Sequence, residues 1–195
     1  LPFKLTPMDL RTISPTLGEG ALKIAINAGI VSFLLVCLFM LVYYRLPGML
    51  ANIALFGLVA MQLFFLTAAI VSLTLPGIAG IILSIGMGVD ANIIIFERIK
   101  EEIRSGKTLR ASIDVGFKRA FAAILDANVT TVISAVVLYW LGTGPIKGFA
   151  ITLGIGVLLS FLTAVTASRI MLKAVSTLDI GKNKWLYGVR GQKNG

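Results

Sequence analysis

The chain of 195 residues is 57% apolar and only 14% charged, against roughly 25% charged in soluble domains. Apolar blocks joined by short polar segments exclude a soluble globular core and indicate a helical membrane protein. The net charge of +9 would suit nucleic acid, but the basic residues gather in the joints between apolar blocks, so the charge reads as membrane topology, with no nucleic-acid partner.

Residues 1–20 are expected to be extended and extracytoplasmic, since Pro2, Pro7 and Pro15 oppose a continuous helix. With no initiator Met and no signal peptide, the chain reads as part of a longer protein. Apolar length then predicts five spans, at about Ala21–Tyr44, Gly48–Leu73, Leu75–Phe96, Phe121–Leu141 and Ile146–Met171. Cys37 lies alone within the first span and the chain has no histidine, so no disulfide within the chain and no metal site is expected. Tyr43-Tyr44-Arg45 closes the first span with interfacial aromatics and a basic anchor, and Leu46-Pro47-Gly48 leaves room only for a tight helical hairpin. Thr74 to Gly77 predicts a second hairpin. Beyond the third span a charged helix continues to Arg104 and is broken by Ser105-Gly106. From Thr108, Leu109, Ile113 and Phe117 form one apolar stripe with basic flanks, which suits a separate helix on the inner membrane surface or against a partner.

These elements define an all-α, polytopic bundle over residues 21–172, with a cytoplasmic helical loop at 97–119 and a cytoplasmic tail at 173–195. Sorting the 18 Lys and Arg by side puts fourteen with that loop, Arg45 and the tail, and leaves Lys4, Arg11, Lys23 and Lys147 opposite. Positive charge marks the cytoplasmic face, so the N-terminus is expected outside and the C-terminus inside.

Small residues recur at every fourth position. Gly148, Thr152, Gly156, Ser160, Ala164 and Ser168 mark the fifth span, Gly80, Ser84 and Gly88 the third, and Ala123, Ala127, Thr131 and Ala135 the fourth. Such stripes let helix backbones approach closely in lipid. They suit bundle packing or a sliding surface, and the stripe centred on Gly156 and Ser160 is expected to dock a partner subunit.

Two Asp-Ala-Asn triplets carry the chemistry: Asp90-Ala91-Asn92 within the third span and Asp126-Ala127-Asn128 opening the fourth. Asp90 lies fifteen residues from Leu75 and Asp126 fifteen from Leu141, so each sits about 22 Å from the outer end of its span. A carboxylate inside a membrane costs about 2.5–3.5 kcal/mol on insertion scales and marks a functional position. Screened from water, such a group exchanges protons nearer neutral pH, the chemistry of a proton relay. Asp90 has no basic residue in its own span. Asp126, followed by Thr130 and Ser134 along one edge, reads equally as a local cap or as a partner for a basic side chain. Asn92, Thr130 and Thr131 are supporting polar neighbours, while Asn27, Gln62, Asn92 and Asn128 suit interhelical hydrogen bonds. The two aspartates also admit the acid–base pair of an intramembrane aspartyl protease, although Gly86-Met87-Gly88-Val89-Asp90 carries one residue too many for that signature. A passive scaffold is a third reading.

The run Val89-Asp90-Ala91-Asn92-Ile93-Ile94-Ile95-Phe96-Glu97-Arg98-Ile99-Lys100-Glu101-Glu102 resembles the SecD family of bacterial protein-export membrane proteins. The likeness continues through Arg11–Gly18, Val42–Gly48, Leu75–Gly80, Ala120-Phe121, Leu125–Asn128 and Gly142–Ala150, and Val89–Glu97 separates it from SecF. This resemblance implies the resistance-nodulation-division (RND) superfamily and a six-helix bundle, of which this chain would hold helices two to six. It implies that Asp90 is central to proton-dependent function and faces charged residues of SecF. It further implies a bacterial cytoplasmic-membrane location, no enzymatic activity, and the proton gradient as energy source without a cofactor. The implied partners are SecF, SecYEG with its SecA motor, YajC or YidC, membrane lipid, and preproteins held by an extracytoplasmic domain. An RND-type transporter of another substrate is the alternative.

Overall fold

The computed structural model describes residues 15–68, 74–177 and 187, with side chains from Gly20 onward. Most of the expected N-terminal segment and of the tail, including the Arg11–Ser14 part of the family motif, lies outside these residues. The described residues are helical throughout and contain no strand: α1 (Pro15–Ala68), α2 (Leu75–Arg104), α3 (Leu109–Leu141), α4 (Pro145–Leu162), a π turn (Thr163–Ala167) and α5 (Ser168–Ser176). Four helices, the last combining α4, the π turn and α5, are long and apolar enough to cross a membrane.

The first of these is bent double. At Arg45 the backbone leaves helical geometry (φ 51°, ψ −114°), and Pro47 follows where the first turn of a new helix has no use for its missing N–H. The two arms, 15–44 and 46–68, run back along each other. Asn52 Nδ2 donates to Cys37 O across the elbow at 3.0 Å, and the rings of Phe33 and Phe56 meet edge-on at 5.1 Å. Helix α1 begins inside the segment expected to be extended, because a proline is tolerated at the first helical position.

Helix α2 starts at Thr74, whose hydroxyl accepts from Gly77 N at 3.1 Å and donates to Pro145 O at 3.3 Å. That second bond pins the starts of α2 and α4 together, so these helices run parallel, with α3 antiparallel to both. Helix α2 ends before Gly106, which takes φ +90°.

The separate interfacial helix expected from Thr108 does not exist as such. Helix α3 is unbroken from Leu109 to Leu141, since nothing between them interrupts the backbone ladder and a change of polarity alone does not end a helix. Its apolar stripe is covered by its own chain: Ile113 and Phe117 are buried in one cluster with Ile99 and Ile103 of α2.

Candidate functional site

Asp90 stands on the exposed side of α2, beside a groove of about 100 Å³ between α2 and α3. Met87, Ile124, Ala127, Asn128 and Thr131 line the groove with it. The Thr131 hydroxyl donates to Ala127 O at 2.9 Å, and Asn128 Nδ2 donates to Ile124 O at 2.6 Å. The Thr131 hydroxyl, its proton committed to Ala127 O, can only accept a hydrogen bond on the groove side. Neither Asp90 nor Asp126 has an ion-pair partner among the described residues.

The other expected relay residues lie elsewhere. Asp126 is exposed and follows the buried Ile124 by two residues, about 200° round the helix, so it points away from the groove. Thr130 and Ser134 share that exposed edge, and their hydroxyls donate to Asp126 O and Thr130 O, each at 2.9 Å. Asn92 is buried on another side of α2. Its Nδ2 donates to Gly88 O at 2.9 Å, and its Oδ1 accepts from Ser168 Oγ at 2.6 Å, which joins α2 to α5. The five residues thus fall into three places: Asp90 and Thr131 at the groove with Asn128, Asp126 and Thr130 on the exposed edge, and Asn92 against α5. The paired carboxylates of an aspartyl protease are not assembled.

The small-residue stripes of α2 and α4 face each other. A Cβ at Gly80 would lie 3.1 Å from Phe149 O and 3.3 Å from Leu153 N. One at Gly88 would lie 2.8 Å from Leu58 Cδ2 and 3.3 Å from Ser160 Cβ. Between them Gln62, fully buried, donates from Nε2 to Ser84 Oγ at 2.8 Å, and Gly156 presses against both side chains. Gly156 and Ser160 are therefore filled from within this chain and offer no surface to a partner subunit. The sequence showed the stripes but not which ones pair.

A charged cluster past Phe96, where the apolar span ends, went unanticipated. Glu102 is buried and bridges Lys107 and Arg119, each at 2.5 Å, tying the end of α2 to the loop and to α3. The hydrogen bond from Lys107, assisted by Arg119, holds the Glu102 carboxyl below the usual carboxylate range against the opposing effect of burial. Lys100 is also buried. It pairs with Glu97 at 3.0 Å and lies over the rings of Tyr43 and Tyr44 at 4.4 and 4.3 Å. Tyr187 is buried beside it, with Pro47, Phe96 and Ile99. A buried acid between two flanking cations has no periodic signature, so the sequence showed only a charged helix.

A family model described as protein export membrane protein SecD/SecF, C-terminal, matches residues 3–177. The protein translocase subunit SecD of Acidaminococcus fermentans is 52% identical over 190 residues, covering 97% of this chain and 46% of that protein. SecD of Synechocystis is 51% identical over 175 residues, covering 90% and 37%. The crystal structure of SecDF, a translocon-associated membrane protein from Thermus thermophilus, superposes with a TM-score of 0.82 at 39% identity, covering 85% of this chain and 23% of that one. The chain spans less than half the length of each of these relatives. It is a helical membrane protein that belongs to the SecD/SecF family of protein-export proteins and stands with the SecD subunits.

Proposed function

We propose that this chain is the membrane part of a SecD-type subunit that uses the proton gradient across the bacterial cytoplasmic membrane to promote protein export through the Sec translocase. Asp90 is the proton-carrying group. The observation that carries this reading is its placement: an exposed carboxylate, deep in an apolar span, beside a groove that Asn128 and Thr131 share and without an ion-pair partner among the described residues. Facing lipid, such a group costs about 2.5–3.5 kcal/mol, so its face is made to meet a polar partner. SecF helices are that partner, and charged SecF residues set when Asp90 holds its proton. SecYEG, YajC or YidC and the exported preprotein engage other parts of the assembly.

The topology proposed with it is five crossings, with residues 1–20 outside and the 97–119 loop and the tail inside. The fold-back at Arg45 supports counting α1 as two crossings. The fourteen-to-four division of basic residues supports the orientation. Asp126, Thr130 and Ser134 form a second polar edge for the partner, and Asn92 holds α2 in place.

The test is export into vesicles carrying the complete SecDF, with and without an imposed proton gradient. Asp90→Asn keeps shape and hydrogen bonding, and is expected to assemble normally yet lose gradient-dependent stimulation. Asp90→Glu retains part of it. Full gradient-dependent stimulation by Asp90→Asn would rule this residue out as the carrier.

A further inference from the structure

A second groove opens on the other side of Ile124, where α2, α3 and the π turn separate. Its walls are Ile95, Phe117, Phe121, Ile124 and Val165, and Lys118 and Arg169 stand at its rim, around a space of about 140 Å³. The walls bring no hydrogen-bonding side chain. The space is well below the roughly 300 Å³ at which sites for compact organic ligands begin. It suits a slender apolar chain. The π turn, in which Ser168 N–H reaches back to Thr163 O, lies beside it, and Val165 and Arg169 share one helix face four residues apart.

The rim is electropositive. Lys118 is exposed and has no carboxylate in ion-pair reach among the described residues. The Arg169 guanidinium lies 5.9 Å from the centre of the Phe117 ring, which sets it over the groove. Its one carboxylate contact among the described residues is long, 3.3 Å to Asp114, an acid that Lys173 already holds at 2.5 Å. Two cations therefore share one acid, and most of the five Arg169 donors stay available. Lys118 precedes the start of the apolar fourth span, and Arg169 lies at the end of the fifth, which is headgroup depth.

We propose that this groove binds an anionic glycerophospholipid from the leaflet at the basic end of the bundle. One acyl chain lies between Phe117, Phe121 and Val165, and the phosphate sits between Lys118 and Arg169. Basic pockets between membrane helices take such headgroups, and the charge complementarity with an apolar trough beneath selects a lipid over a soluble anion.

Native mass spectrometry of the complete SecDF complex, in mixed phosphatidylglycerol and phosphatidylcholine, tests this. The expected result is retained phosphatidylglycerol in at least fivefold preference, undisturbed by excess inorganic phosphate. Lys118→Gln combined with Arg169→Gln removes the preference, and Val165→Trp, which fills the trough, lowers total retained lipid while the complex still assembles. Arg110→Gln, an exposed cation away from the groove, leaves both unchanged. The proposal is overturned by equal retention of the two lipids, by no retained lipid, by displacement with inorganic phosphate, or by an equal loss in Arg110→Gln. Unchanged retention in the double variant and in Val165→Trp overturns it as well.

Discussion

The two sides of α2 differ in kind. Toward α4 it presents Gly80, Ser84, Gly88 and Asn92, all buried, with backbones so close that a methyl group has no place at Gly80. Toward the outside it presents Asp90, exposed and without an ion-pair partner among the described residues. The first side fixes the helix, and the second uses that fixity to hold a charge at one depth. A side chain that must meet a partner gains from a rigid mount, since a loosely held one would meet it in many geometries. Under the proposed function, stability and function are thus separated by half a turn of one helix.

That separation is broken most severely at Gly156. A Cβ there lies 2.6 Å from Gln62 Nε2 and runs into Ser84, so Gly156→Leu is expected to destabilise the bundle by more than about 3 kcal/mol, beyond the usual range for overpacking. Thermal or denaturant unfolding of the purified protein measures it, and a melt like that of the unaltered chain would show the α2–α4 contact to be loose.

Next in size is Glu102→Gln, which removes the anion that joins Lys107 to Arg119. Because the folded carboxyl is held low, its contribution is present above the ordinary carboxylate value of about 4.3 and is lost as pH falls through the lower folded value. The variant should melt earlier near neutral pH, and the difference should close under acid. A difference that persists at the lowest pH would assign the effect to packing.

Gln62→Leu is smaller. Interhelical hydrogen bonds in membranes average about 0.6 kcal/mol and reach about 1.7, and the lost bond to Ser84 belongs in that range. On the opposite side, Asp90→Asn is expected to leave the melting curve within about 0.5 kcal/mol, as for exposed positions without partners. A large shift there would make Asp90 part of the scaffold and undo the division.

Much of the frame was legible in the sequence because membrane helices announce their ends. Thr74 and Leu75, Ser105-Gly106, Thr108 and Leu141 all fall where apolar length and capping residues put them. The elbow at Arg45 follows from too few residues between two apolar blocks. Spacing every fourth residue marked close approach in α2 and α4 but not in α3, where Ala123 and Ala127 are exposed; it carries no address, and the stripe assigned to a partner is met by α2 instead. The site was less legible for a related reason. Asp90 and Asp126 stand equally many residues from the outer ends of their spans and are each followed by Ala-Asn, but which way a helix is turned is decided by what packs against its other faces. Ile124 and Ala135 turn α3 so that Asn128 and Thr131 meet the groove and Asp126 does not.

A helix whose small residues recur every fourth position is out of phase with itself. Each step of four advances by about 40°, so from Gly148 to Ser168 the stripe should precess by about 200° and end on the far side. All six of its residues are nevertheless buried, and the last bonds Asn92 of α2. One wide turn at Thr163–Ala167 takes up part of that drift, as a re-cut thread lets both ends of a screw mesh with the same nut. The bond that holds α2 two residues from Asp90 therefore depends on the winding of a different span.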